Sequence, residues 1–129
     1  MWISVRTRRC SISARRRQSL ERYLRRALEH DRDRIASVVV YLQPAQKRRD
    51  DIEYAARIVV WSSSLGQIAA NETHSSIRVA VGQATRRVRR SLRERVRQKR
   101  NYGRLATHFA ILEKDRGELL ERELSSEAL

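Results

Sequence analysis

With one cysteine among 129 residues, no disulfide can close within the chain and no cysteine-rich metal site can form. Cys10 is expected to be a small, partly buried residue. Glycine occurs four times and proline once, so the chain has no glycine-rich loop of the kind that cradles phosphates, and no low-complexity linker. Apolar runs are short. None reaches the length of a membrane span, and the N-terminus lacks the apolar centre of a signal peptide. No membrane partner is expected, and the reading is of a soluble, cytoplasmic protein. The three histidines, His30, His74 and His108, lie more than thirty residues apart, without the His-x-x-x-His or Cys-x-x-Cys spacing of a metal site. Catalytic residues, metal ligands and cofactors are therefore expected to be none.

What the chain has instead is arginine. Lys and Arg number 29 against 15 Asp and Glu, for a formal charge of +14 and a pI of about 11.4. The only lysines are Lys47, Lys99 and Lys114. A guanidinium forks a phosphate with two donors and stacks on bases, so this balance suits a nucleic-acid partner. Genome base composition is an alternative source of the same bias. The charge is unevenly spread: residues 1–100 hold 25 basic and 9 acidic side chains, residues 101–129 only 4 and 6. The break falls at Asn101-Tyr102-Gly103, which reads as a helix stop with Gly just past the end. The expectation is one basic domain over 1–100 and a C-terminal tail over 101–129, partly disordered or helical.

The organising stretch is Ile77 to Arg100. Ile77, Val81, Ala84, Val88, Leu92 and Val96 recur at spacings of four and three, which places them on one helix face. Arg86, Arg90, Arg93, Arg97 and Arg100 fall on the opposite face, with Arg87 and Arg89 at its flanks. Like charges along one face repel, and Glu94 is the only acid in the stretch. Such a stripe becomes favourable when a polyanion neutralises it. A merely solvated basic face is the alternative, and a mixed Arg/Glu surface would suit that better.

In chain order, Trp2 to Arg6 alternates as a short strand. Ser13 reads as the N-cap of a helix whose apolar stripe is Leu20, Tyr23, Leu24, Ala27 and Leu28. Its reverse face carries Arg15, Arg22, Arg25 and Glu29. Arg15, Arg16 and Arg17 crowd the first turn, where the helix dipole disfavours positive charge. Ile35 to Gln43 is the strongest strand, ended by Pro44. Ala45 to Asp50 is a charged turn containing Lys47, Arg48 and Arg49. From Ile52 to Val60 the even positions are apolar, the pattern of a sheet covered on one side. Ser62 to Gly66 forms a hairpin loop, Gln67 to Glu72 a fourth strand, and Ser75 or Ser76 caps the long helix. The predicted class is α+β: β-α-β-β-β-α, a four-stranded sheet with two helices packed on one face.

This order resembles the ribosome hibernation promoting factor family, also called ribosome-associated inhibitors, in its short form. The resemblance spans roughly residues 1–100. It rests on a strand beginning at Met1, the Ser13 cap, and Asp33-Arg34-Ile35 before the Val38-to-Leu42 strand. Gly66 with Ile68 to Ala70 in the last hairpin and the basic final helix complete it. The family's Asp-Met-Tyr-Ala-Ala-Ile-Asp run is replaced here by Ser76-Ile77-Arg78-Val79-Ala80-Val81-Gly82, and Arg16 stands where an apolar residue is usual. The resemblance implies a fold similar to a double-stranded-RNA-binding domain with an added strand. It also implies docking on the small ribosomal subunit in the decoding region, excluding mRNA and tRNA and preserving idle ribosomes in stress or stationary phase. The rRNA-binding residues expected on this reading are Arg22 and Arg25 on the first helix and Arg86, Arg90, Arg93, Arg97 and Arg100 on the last.

Two rivals come from other classes. A generic duplex-RNA or nucleoid-binding module would use the same helices, but the Gly-Pro-x-His loop and lysine cluster of double-stranded-RNA-binding domains are absent. A transcription modulator acting through protein contacts would use the sheet face shared by Trp61, Val59 and Ala55, with Trp2 near them. Those residues are expected to be covered by the tail or an edge strand. Gly66-Gln67 is similar to the Gly-Gly-Gln tip of peptidyl-tRNA hydrolases, but Leu65 takes the first glycine position and removes its backbone freedom. No enzymatic activity is expected, and the protein off the ribosome is expected to be a monomer.

Overall fold

The computed structural model describes residues 1–45 and 52–127, with side chains described to residue 105 and at 107 and 108. The expected charged turn at Lys47, Arg48 and Arg49 lies outside the described residues. So do most side chains of the expected C-terminal tail, among them its apolar residues Phe109, Leu112, Leu119, Leu120 and Leu124. The chain forms two compact units, Met1–Glu94 and Arg95–Leu129, each described by itself.

In the first unit, β1 (Trp2–Thr7) leads to α1 (Ala14–Ala27) and a 3-10 turn (Glu29–Arg34). Then come β2 (Ser37–Pro44), β3 (Tyr54–Ser62), β4 (Gly66–His74) and the start of α2 (Ile77–Glu127). The sheet order is β1-β2-β3-β4, with β1 parallel to β2 and the other two pairings antiparallel. Both helices pack on one face of this mixed sheet, as the sequence pattern requires.

Local chemistry explains the boundaries. The Ser13 hydroxyl accepts from the Arg16 N–H at 3.1 Å and caps α1. Ser76 does the same for α2, accepting from the Val79 N–H at 3.4 Å, while its own N–H donates to His74 Nδ1 at 2.9 Å. The core takes alternate residues from each strand: Ile3 and Val5, Val38, Val40 and Leu42, Ala56, Ile58 and Val60, Ile68 and Ala70. Onto these pack Leu20, Leu24 and Leu28 of α1, and Ile77, Ala80, Val81, Ala84, Val88 and Leu92 of α2. Thr85, also buried, donates its hydroxyl to the Val81 carbonyl at 2.7 Å, so no polar group is stranded there. Cys10 is half-buried, with its thiol 3.6 Å from the Leu42 carbonyl.

The structure corrects several boundaries. Ser62 and Gly66 are paired strand residues, not loop, and the hairpin turns over Ser63-Ser64-Leu65. The buried Ser62 hydroxyl accepts from the Leu65 N–H at 3.1 Å, which closes that short turn, and Gly66 supplies the positive φ of 80° it needs. Ile52 keeps the apolar parity of β3 but lies before the strand and is exposed. The turn Glu29–Arg34 is closed by backbone bonds from the Asp31 N–H to the Leu28 carbonyl and from the Ile35 N–H to the Arg32 carbonyl, with surface pairs Arg32–Glu29 and Arg34–Asp31, and has no apolar period to reveal it.

In the second unit, the expected stop at Asn101-Tyr102-Gly103 is absent; these residues are helical. Gly103 does not adopt a positive φ, and a helix-interior glycine costs only about 1 kcal/mol against alanine. The residues that follow, rich in Arg, Leu, Ala, Glu and Lys, are strong helix formers and outweigh it.

Candidate nucleic-acid interface

The apolar stripes fix where the arginines go. Leu20, Leu24 and Leu28 turn one side of α1 into the core, so Arg22 and Arg25 are left on its exposed side. On α2 the burial of Val81, Ala84, Val88 and Leu92 forces Arg86, Arg90 and Arg93 outward, and all three are exposed. The span from Arg86 to Arg93 is about 10 Å along the axis at 1.5 Å per residue. Arg97 and Arg100 belong to the second unit and are exposed there too.

Other arginines are spent within the fold. Arg17 donates its Nη1 to the Val5 carbonyl, tying α1 to β1. Arg87 pairs with Glu72, and Arg32 and Arg34 pair within their turn. Arg89, at the stripe's flank, is half-buried, and its Nε is shielded without a partner among the described residues. By contrast, no hydrogen bond or ion pair within the described residues occupies Arg22, Arg25, Arg86, Arg90 or Arg93. The fold leaves their guanidinium donors to solvent or to a partner.

A cleft of about 600 Å³ adds a feature the sequence did not single out. Both capping serines, Ser13 and Ser76, line it, so the N-termini of α1 and α2 open on the same space. Arg15, Arg16 and Arg78 line it as well. Helix N-termini carry partial positive charge, and three arginines beside two of them make a strongly positive rim. The crowding of Arg15 and Arg16 was visible in the sequence. Arg78 was not singled out because it precedes the stripe, yet the same dipole conflict in the first turn of α2 marks it.

The arrangement presents the guanidiniums of Arg86, Arg90 and Arg93 on one helix, with the exposed Glu94 beside Arg93 as the one acid of residues 77–100. Among the described residues no cluster of three His, Cys, Asp or Glu could hold a metal ion. No helix of the described residues is long and apolar enough to cross a membrane.

A ribosomal subunit interface protein from Coxiella burnetii matches with a TM-score of 0.60, covering 73% of this chain and 96% of that one at 17% identity. The fold is that of ribosomal subunit interface proteins. The N-terminal domain of Thermus thermophilus Protein Y matches equally well, with a TM-score of 0.59, 22% identity, and coverage of 73% and 98%. These matches agree with the hibernation-factor resemblance read from the element order. No protein-family model and no curated sequence matches the chain. What is shared with the structural relatives is therefore backbone architecture, carried by a different set of side chains.

Proposed function

We propose that this protein is a ribosome-associated hibernation factor that binds small-subunit rRNA in the decoding region and inhibits translation by excluding mRNA and tRNA. The observation that carries the reading is the set of unpaired arginines on α1 and α2, displayed on the fold of ribosomal subunit interface proteins. Arg22, Arg25, Arg86, Arg90, Arg93, Arg97 and Arg100 would meet phosphates, with Arg15, Arg16 and Arg78 extending the surface around the cleft. Contacts of this kind position a protein by shape and charge, without reading sequence. The cell compartment that follows is the cytoplasm, the role is non-enzymatic, and the protein off the ribosome is a monomer.

Sedimentation tests the proposal. Added to purified subunits, the protein should travel with the small subunit and with whole ribosomes, and be displaced by messenger plus initiator tRNA. In a purified translation system it should inhibit initiation. Binding that persists when the decoding cleft is already filled assigns another ribosomal site. Migration with DNA or bulk duplex RNA, and not with ribosomes, replaces the proposal with a general nucleic-acid-binding module.

A further inference from the structure

The sheet has a second face, turned away from both helices. Its side chains run in cross-strand rows set by the register. One row is Trp2, Ser37, Trp61 and Gln67; the next is Ser4, Val39, Val59 and Ala69. The third is Arg6, Tyr41, Arg57 and Asn71, followed by Gln43, Ala55 and Thr73. None of these four rows contains an acid.

Three large aromatics stand on this face, with Trp2 58% exposed, Trp61 50% and Tyr41 41%. Between them Val39 and Val59 form a floor that is 8% and 6% exposed, although α1 and the first unit's part of α2 pack on the opposite face. Trp61 belongs to β3, an interior strand, so shielding a sheet edge is not its role. A shallow groove of about 610 Å³ runs here, lined among others by Tyr41, Trp61, Arg6 and Arg57. Tryptophans half exposed on an open sheet face leave a large part of their ring surface available. Their π-faces, with guanidiniums one row beyond the floor, match a partner that is both flat and anionic.

We propose that this face is a stacking platform for single-stranded RNA, distinct from the helical arginine surface. Strand spacing of about 4.8 Å puts Trp2 and Trp61, two strands apart, roughly 10 Å from each other. Tyr41 lies four residues along β2 from the tryptophan row, about 13 Å at the strand rise. A four-stranded sheet bearing aromatics can stack two or three unpaired bases. Base–aromatic stacking tolerates any sequence because every base has a π-face. In this arrangement Trp2 and Trp61 take bases, Tyr41 takes a third, and Arg6 and Arg57 beside Tyr41 meet the intervening phosphates. Paired bases in a duplex do not offer their faces, so the platform selects unpaired strands. The inference stands on the sheet alone and does not depend on the ribosomal reading.

The test uses the full chain and a fluorescently labelled octanucleotide of mixed A and U that cannot pair, followed by anisotropy at fixed salt. Trp2→Ala and Trp61→Ala should each weaken binding roughly five- to 150-fold, the equivalent of about 1–3 kcal/mol per stacked base. Trp61→Phe should retain most of the affinity, and a duplex of the same length should be indifferent to all three. Replacing Arg86, Arg90 and Arg93 by Glu should spare octanucleotide binding far more than duplex binding. The proposal is overturned if Trp61→Ala, melting like the parent protein, binds the octanucleotide unchanged, or if it weakens the duplex equally. Should the alanine variants fail to fold, tryptophan fluorescence of the parent protein decides: quenching by the octanucleotide supports the platform, and its absence at saturation overturns it. Self-association lost in Trp61→Ala, without octanucleotide binding in the parent, assigns the face to a second copy of the chain instead.

Discussion

Arg87 on α2 reaches across to β4, donating from Nη1 to the Glu72 carboxylate and to the Asn71 carbonyl, both at 3.1 Å. It sits one position from Arg86 yet is held by the protein, whereas Arg86 is held by nothing within the described residues. Arg87 is largely exposed, its side chain at 60%, while Glu72 is half-buried at 26%, so water reaches the pair from the arginine's side and screens part of its Coulomb energy. Replacing Arg87 by Ala should therefore cost less than about 1 kcal/mol of stability. It should also weaken ribosome binding less than Arg90→Ala does, because part of its charge is already answered by Glu72. Equilibrium unfolding and small-subunit sedimentation, run on both variants, check the two halves.

The helical arginine surface predicts a steep response to salt. With about six phosphate contacts, the slope of log affinity against log salt should be roughly −4 to −5, at −0.7 to −0.9 per contact. The triple variant Arg90→Glu, Arg93→Glu, Arg97→Glu should lose small-subunit binding and keep its melting temperature, since these side chains are exposed. A large fall in melting temperature would show that the stripe packs inside the protein and would remove it as a binding surface.

Gly82 offers a stabilising change. It lies within α2, where its missing side chain costs helix stability, and a Cβ added there would meet only the Tyr23 hydroxyl at 3.6 Å, an ordinary contact. Gly82→Ala should raise stability by about 0.5–1 kcal/mol, visible as a melting temperature several degrees higher. A decrease would mean that Tyr23 is held more tightly above α2 than this spacing indicates.

The core sets the opposite limit. Leu24 is fully buried between α1 and the sheet, so Leu24→Ala should destabilise by about 2–5 kcal/mol through lost transfer energy and the cavity left behind. The cap is smaller: Ser13→Ala removes the acceptor for the Arg16 N–H and should cost about 1 kcal/mol. Denaturant midpoints for the two variants, at an unchanged slope, would establish this ranking.

The sequence made the fold legible wherever one face of an element is apolar. Val81, Ala84, Val88 and Leu92 announced both the helix and its buried side, and with it the outward arginines. The element order followed from the same alternation, while the parallel pairing of β1 with β2 is shown by the folded sheet. What stayed hidden has no period. The turn at Glu29–Arg34 buries none of its own residues, and its backbone bonds and surface i,i+3 pairs leave no apolar spacing to read. The fate of Arg17 depends on a strand carbonyl twelve residues away, which no local pattern reveals. Gly103 looked like a stop because glycine is enriched past helix ends, but a single glycine is a weak opponent of the helix formers after it. The partition of arginines into spent and unspent is a tertiary property, and only the folded chain displays it.

The order of the strands has a consequence for how the protein is made. Each strand neighbours its predecessor in the chain, so the sheet can zip up as synthesis proceeds, through contacts of short sequence separation along β2, β3 and β4. The lid of the core arrives last. Until Ile77, Ala80, Val81, Ala84, Val88 and Leu92 have been made, only α1 covers the apolar face of the sheet, and the part left open is prone to aggregation. The same fifteen or so residues bring Arg86 and Arg90 into place. Completion of the core and display of the α2 arginines are thus one event, and a nascent chain stalled short of α2 would have an unfinished core and lack Arg86, Arg90 and Arg93.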